Sequence, residues 1–194
     1  MLLQDILKEF LFDCELKKYS KRTMKSYANC SLAFFVYLKN EFDITELEDL
    51  AYKHVQQYIK LLSDRGLKET YINSIIKCLR AYFRYCADEQ YINRNPMNKI
   101  RFQKEELTLI LTFTDAEVAK MVNYYGSRKY LDIRNKLIMV FLFDSGIRNN
   151  ELCNIKVADI HERYITIHGK DKKIRHVPIT PTMNRYMIKY NRIK

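Results

Sequence analysis

Arg148 and Glu151 are the side chains whose types and spacing first suggest chemistry. They follow an apolar run, Leu137-Ile138-Met139-Val140-Phe141-Leu142-Phe143, which should be a buried helix, and Gly146, which should end it. A guanidinium buried or half-buried beside such a run demands a partner, because an unpaired desolvated charge is costly. Glu151, three residues on, is within one helical turn and can form that ion pair. Alternatively Glu151 only orients Arg148, leaving its planar fork to grip two oxygens of a phosphate. Helix-opening amides after Gly146 would add positive potential at the same spot.

A second group follows in "HGKDKKIRHVP", where Lys170, Lys172, Lys173 and Arg175 crowd a tight turn that also holds Asp171. One reading is a solvated loop, or an edge strand protected by lysines. The other is a basic fingertip from which one lysine touches a phosphate or a base edge. Further upstream, Lys17, Lys18, Lys21, Arg22 and Lys25 cluster, and Lys77, Arg80 and Arg84 recur at i, i+3, i+7. With Thr23 and Asn73 beside them, these faces suit phosphate contact with some base readout, or are simply solvated helix faces.

The elements that must position these groups are mostly helical. Leu3, Ile6, Leu7, Phe10, Leu11 and Cys14 form one apolar stripe at helical spacing. Ser20 is a candidate N-cap for a second helix through "SYANCSLAFFVYLKN". Thr45-Glu46-Leu47-Glu48 has capping-box form and predicts a third helix that Gly66 stops. A fourth runs through "ETYINSIIKCLRAYFRYCADEQ", and Asn95 before Pro96 ends the block. Four helices with short links predict a compact bundle over residues 1–100.

Residues 101–110 are expected to be a linker, and 111–194 a second domain opened by the capping box Thr114-Asp115-Ala116-Glu117. After a helix through "YLDIRNKLIMVFLFDSG" the period changes. "RYITIHG" and "IRHVPIT" are β-branched and alternating, which predicts a two-stranded antiparallel hairpin. "TMNRYMIKYNRIK" resumes helical spacing to the last residue, and this suggests an interrupted domain. The expected fold is therefore mainly α, with a helical bundle followed by a partial α+β domain.

Composition narrows the partners. With 47% apolar residues in 194 and only four Gly and three Pro, the chain can bury a core and favours helices over a many-turned sandwich. The net charge is +11, and its excess is uneven: residues 1–100 hold 16 basic and 13 acidic groups, residues 101–194 hold 18 and 10. A concentrated basic surface points to a polyanion, most commonly nucleic acid. The five cysteines include no C-x-x-C pair and no histidine at metal spacing, so no metal or other cofactor is expected and a reducing cytoplasm is. Neither "LAFFVYL" nor "LIMVFLF" approaches the ~20 residues that cross a bilayer, and no signal peptide is evident, so no membrane partner is expected.

"FDSGIRNNELCNIKVADI" resembles the first catalytic box of the tyrosine recombinases, the phage-integrase family, through Ser145-Gly146-Ile147-Arg148, Glu151-Leu152 and Asp159. "GKDKKIRHVPI" is similar to that family's lysine hairpin, with Asp171 in place of its second glycine. "YSKRTMKSYANCSLAFFVYL", "DRGLKETYINSIIKCLRAYFRYCADEQYINRNP" and "LTFTDAEVAKMV" look like its core-binding helices and the entry to its catalytic domain. The resemblance implies a SAM-like DNA-binding bundle, a catalytic domain, and a clamp around double-stranded DNA in which the linker is functional. It implies site-specific recombination, integration by a phage or other mobile element included, through a 3′-phosphotyrosine link without metal, with other recombinase subunits as partners. Carried over, Arg148 stabilises the transition state, Lys170 is the acid for the leaving oxygen with Lys172 or Lys173 as substitutes, and Glu151 and Asp159 are support.

The family's later box, His-x-x-Arg, and its nucleophilic tyrosine find no counterpart. His54, His161, His168 and His176 all lack an arginine three residues on. Tyr186 and Tyr190 lie in the helix directly after the hairpin, where core packing or an amphipathic surface accounts for them. The resemblance therefore implies an N-terminal portion that binds DNA without completing catalysis and contains no nucleophile. A non-catalytic DNA-binding regulator built on the same scaffold is the alternative. A helical protein-interaction module would instead need an exposed apolar stripe, which the predicted cores leave unexplained nowhere.

Overall fold

The computed structural model describes residues 1–106, 109–126, 128–169 and 173–193. They form two compact units, Met1–Thr108 and Leu109–Lys194. The first contains four helices, α1 (Leu3–Leu16), α2 (Lys21–Phe42), α3 (Tyr52–Asp64) and α4 (Glu69–Asp88). The predicted α1 stripe is the buried one: Leu3, Ile6, Leu7, Phe10 and Cys14 face the core. There they meet Phe34 and Leu38 of α2, Val55 and Tyr58 of α3, and Ile72, Ile76, Leu79, Tyr82 and Phe83 of α4. Each large side chain removed from water there contributes about 1.5–3 kcal/mol of transfer free energy. Tyr82 also donates its phenol O–H to the Leu3 carbonyl at 3.0 Å, tying α4 to the start of α1.

Local signals set most boundaries. Ser20 Oγ accepts the Thr23 N–H at 3.1 Å and starts α2. Gly66 takes a φ of +73° just after α3, a left-handed conformation that a Cβ would oppose. Thr45–Glu48 does not cap α3, contrary to its capping-box form; that helix begins at Tyr52, where the Ala51 N–H is held by His54 Nδ1 at 3.1 Å. The reason is competition from the first residues of the chain: Leu3 N–H donates to Thr45 O, and Leu47 N–H to Met1 O. Glu46 thus bridges to Leu2 before the chain turns, and the Met1 ammonium rests on Glu48.

The second unit runs α5 (Asp115–Tyr124), α6 (Tyr130–Ser145), α7 (Asn149–Cys153), a 3-10 turn (Val157–Asp159), β1 (Tyr164–His168), β2 (Ile174–Pro178) and α8 (Pro181–Asn191). The Thr114 box is formed as expected, with Thr114 Oγ1 accepting from Glu117 N–H and Glu117 Oε2 accepting from Thr114 N–H. The strands pair antiparallel with Tyr164 opposite Pro178 and His168 opposite Ile174. This register sends Ile165, Ile167 and Val177 inward against Val140, Phe141, Ile147, Met183 and Tyr186.

The apolar run on α6 is less buried than its composition predicts. Val140 and Phe141 are in the core, whereas Leu137, Ile138, Met139, Leu142 and Phe143 are half-buried. The run is apolar on every face, and the packing of this unit covers only part of the helix. Leu137 and Ile138 therefore line an open groove of about 700 Å³ with Leu152, Ile155, Ile179 and Met187. The predicted cores do not absorb this surface. Among the described residues no helix is long and apolar enough to cross a membrane.

Candidate functional site

Gly146, at φ +60°, ends α6 and lets the chain turn into α7 within two residues. Ile147 goes into the core, and Arg148 stands at the N-cap of α7 with extended backbone. Its side chain is 78% exposed, so the cost of burial anticipated from the apolar run does not arise; the turn at Gly146 carries the arginine out to solvent. Glu151 is the buried member, with its side chain only 6% exposed. One carboxylate oxygen accepts the Arg148 N–H at 2.9 Å, and the other accepts from Arg148 Nη1 at 3.1 Å.

Glu151 has a second and closer partner that the sequence spacing did not reveal. Arg175, on β2, donates from Nη1 to Oε1 at 2.9 Å and from Nη2 to Oε2 at 2.7 Å. Such a bidentate pair fixes both planes. Arg175 is expected among the DNA contacts; its fork is instead occupied by the buried Glu151 carboxylate. The Arg175 pair first, then the Arg148 amide, holds the Glu151 carboxyl down to about 2 against the opposing effect of burial. In turn Glu151 raises the Arg175 guanidinium.

Asp159 repeats the device one loop later. It accepts the Lys156 N–H at 2.8 Å, and its other oxygen lies 3.0 Å from His168 Nε2 at the end of β1. The Lys156 amide, then His168, lower its pKa. The hairpin is thus held on both strands, by Asp159 through His168 and by Glu151 through Arg175. Gly169 sits inside this frame: its N–H donates to Lys173 O at 2.7 Å, and a Cβ there would lie 3.2 Å from that carbonyl and 3.6 Å from Glu151 Oε1. Gly169 and Arg175 on the hairpin thus lie beside Glu151. Lys170 and Lys172 lie outside the described residues; Lys173 is described and exposed. Neither His168 nor Gly169 was singled out from sequence, because their partners are fixed only by the strand register.

The tyrosines weighed as nucleophiles have structural surroundings. Tyr186 is buried in the core cluster. Burial would raise its phenol, but Arg185 and Lys136 outweigh that and lower it. Tyr190 shares a 2.9 Å hydroxyl contact with Tyr130. Among the described residues no group of histidine, cysteine and acidic side chains is arranged to hold a metal.

In the first unit the basic residues divide. Lys18, Lys21, Arg22 and Lys25 are exposed around the start of α2, while Thr23 is half-buried and bonded to Ser20 through Oγ1 as well as N–H. Lys77 and Arg84 are exposed on α4, and with Arg80, Asn95, Met97 and Asn98 they line a concave face of about 480 Å³. Arg80 is half-buried, donates to Ile100 O and lies 4.1 Å over the Phe102 ring. It is thus a tether as well as a charge.

Asn73 departs from expectation: it is 2% exposed and cannot read a base from there. Its amide donates to Gln103 O at 2.9 Å and Glu105 Oε1 at 2.8 Å, and its oxygen accepts Gln103 N–H at 2.8 Å. Residues 101–105, within the expected linker, are held against α4 by this asparagine.

Residues 102–193 match the family model described as phage integrase family, and residues 7–90 match the one described as phage integrase, N-terminal SAM-like domain. Tyrosine recombinase XerC of Lacticaseibacillus casei (strain BL23) is 28% identical over 164 residues, 84% of this chain and 55% of the relative. That of Staphylococcus carnosus (strain TM300) is 27% identical over 179 residues, 91% of this chain and 60% of the relative. The chain thus spans little more than half the length of these relatives. Among solved structures, a lambda integrase dimer bound to a COC' core site superposes with a TM-score of 0.81 at 21% identity, over 100% of this chain and 70% of that one. The Tn1549 transposon integrase in complex with circular intermediate DNA gives 0.70 at 12%, over 100% and 66%. These two likenesses show the fold: a helical bundle followed by a second unit of helices around a two-stranded hairpin.

Proposed function

The chain belongs to the phage integrase family, and from that premise we propose that it binds double-stranded DNA as part of a site-specific tyrosine recombinase. Residues 1–100 act as the core-binding domain and 111–194 as the first part of the catalytic domain, with the segment between them as the functional connection. Arg148 grips the scissile phosphate through its exposed fork, and the hairpin lysine, Lys170 with Lys172 or Lys173 as substitutes, protonates the leaving oxygen. Glu151 and Asp159 position these groups. The XerC relatives are named as recombinases, and the two structural neighbours are complexes with DNA.

One observation carries the reading. Arg148 is exposed while its partner Glu151 is buried and held by Arg175 on β2, which supports a cation presented to solvent in a fixed orientation. Preorganised donors of this kind stabilise developing charge without reorganising during the reaction. On α4, Lys77 and Arg84 supply phosphate contacts, as do Lys18, Lys21, Arg22 and Lys25 around α2.

By themselves these 194 residues bind DNA and form no covalent intermediate, because no histidine is followed three residues later by arginine. Further recombinase chain or another subunit would pack on the open apolar groove, and the setting is the cytoplasm. The test is duplex binding across a salt series: affinity should fall steeply as salt rises through counterion release, and salt-independent binding would overturn the reading. Fusing a segment that carries His-x-x-Arg and a tyrosine should yield covalent protein–DNA adducts that disappear in Arg148→Ala. Binding without adducts in that fusion would favour the regulator instead.

A further inference from the structure

The bundle contains a pair of thiols that the DNA-binding reading does not use. Cys78 projects from α4 toward α2 and is buried, and its Sγ lies 3.6 Å from Ser26 Oγ. Cys30 is one turn beyond Ser26 on α2, so it shares the helix face that meets Cys78. Ser26 is exposed and Cys30 half-buried, which places the pair just beneath the surface at the edge of the α2–α4 contact. The other three cysteines are placed differently. Cys14 and Cys86 are buried in the core, and Cys153 is exposed in the second unit with Asn149 beside it.

We propose that Cys30 and Cys78 are a peroxide-reactive dithiol that closes into a disulfide joining α2 to α4. The neighbouring Cys30, with help from Ser26, lowers the Cys78 thiol, while Cys30 is raised. Cys78 is therefore the more acidic of the two, and the thiolate is the nucleophile. Its sulfur attacks one oxygen of hydrogen peroxide, forming an S–O bond as O–O breaks. Hydroxide leaves and is protonated to water, and Cys78 becomes a sulfenic acid. The Cys30 sulfur then attacks Cys78, S–S forming as S–O breaks, and the Cys30 proton leaves with the hydroxyl as a second water. Two thiols lose two electrons and peroxide gains them. The bond would connect the two helices that carry Lys21, Arg22, Lys25, Lys77 and Arg84.

The experiment exposes the whole chain to stoichiometric hydrogen peroxide, counts free thiols after denaturation, and maps the peptides by mass spectrometry. The expected result is a fall from five thiols to three, with one cross-linked peptide pair containing Cys30 and Cys78, reversed by dithiothreitol. Cys153→Ser should leave this unchanged, and Cys30→Ser should abolish the cross-link and leave a sulfenic acid on Cys78 that dimedone traps. Should Cys78→Ser fail to fold, the half-buried Cys30 variant still decides the matter. Five surviving thiols, cross-links through Cys153, or over-oxidation of Cys30 or Cys78 without pairing would each overturn the proposal.

Discussion

Arg175 of β2 and Glu151 of α7, distant in sequence, meet fork to fork at 2.9 and 2.7 Å. Through this pair the hairpin and the helix that presents Arg148 become one rigid frame. Glu151 is then shared between Arg175 of the hairpin and Arg148 of α7.

Glu151→Gln should lower the melting temperature at pH 7, because two arginines lose their common anion and one buried site loses its bidentate match. The folded carboxyl is held down to about 2, below its usual 4.5, so Glu151 stabilises fully above about pH 4.5 and loses that contribution as pH falls through 2. The wild-type melting temperature should therefore drop more steeply between pH 5 and 2 than that of Glu151→Gln, by calorimetry, to the extent of roughly one titrating group. Parallel profiles would mean that the pair does not form in solution.

Arg148→Ala should behave differently, since the side chain is 78% exposed and Glu151 keeps Arg175. Stability by urea titration is expected within about 0.5 kcal/mol of the parent, while duplex affinity weakens. A large loss of stability would make Arg148 a structural residue.

Gly169→Ala tests the close approach at the hairpin. A Cβ 3.2 Å from Lys173 O is tighter than ordinary contact, so that carbonyl must shift, at a cost of about 1 kcal/mol, while 3.6 Å from Glu151 Oε1 leaves the ion pair in place. Urea titration reads this directly, and faster amide exchange at Gly169 should accompany it, because its N–H bond to Lys173 O is strained first.

On α4 two kinds of polar residue should separate cleanly. Lys77→Ala and Arg84→Ala should each lower the salt slope of DNA binding by about 1 with little effect on folding. Asn73→Ala should leave that slope alone and cost about 1–3 kcal/mol, because it orphans Gln103 backbone groups against a buried site. Salt titration and urea unfolding on the same variants give both readouts.

Tyr82→Phe removes one buried hydrogen bond, phenol to Leu3 carbonyl, and keeps the ring in the core. A loss of about 1 kcal/mol is expected, with unchanged DNA affinity. Unaltered stability would show that the α1–α4 tie is dispensable.

Some of this molecule follows from sequence because its causes are local. The α1 stripe, the Ser20 and Thr114 caps, the break at Gly66 and the alternating strands depend on residues within a few positions of one another. Long-range competition decided the rest. Thr45–Glu48 has the chemistry of a helix start, yet pairing with Met1 and Leu3 claims its backbone groups. Asn73 looks like a polar surface residue until the 101–105 segment folds over it. Arg175 sits in a run of basic residues, and only the hairpin register turns it onto Glu151. Spacing along the chain specifies helices, caps and strands, since those are built from neighbours. Which charges are free and which are committed depends on how those elements pack, and the tertiary structure alone decided that.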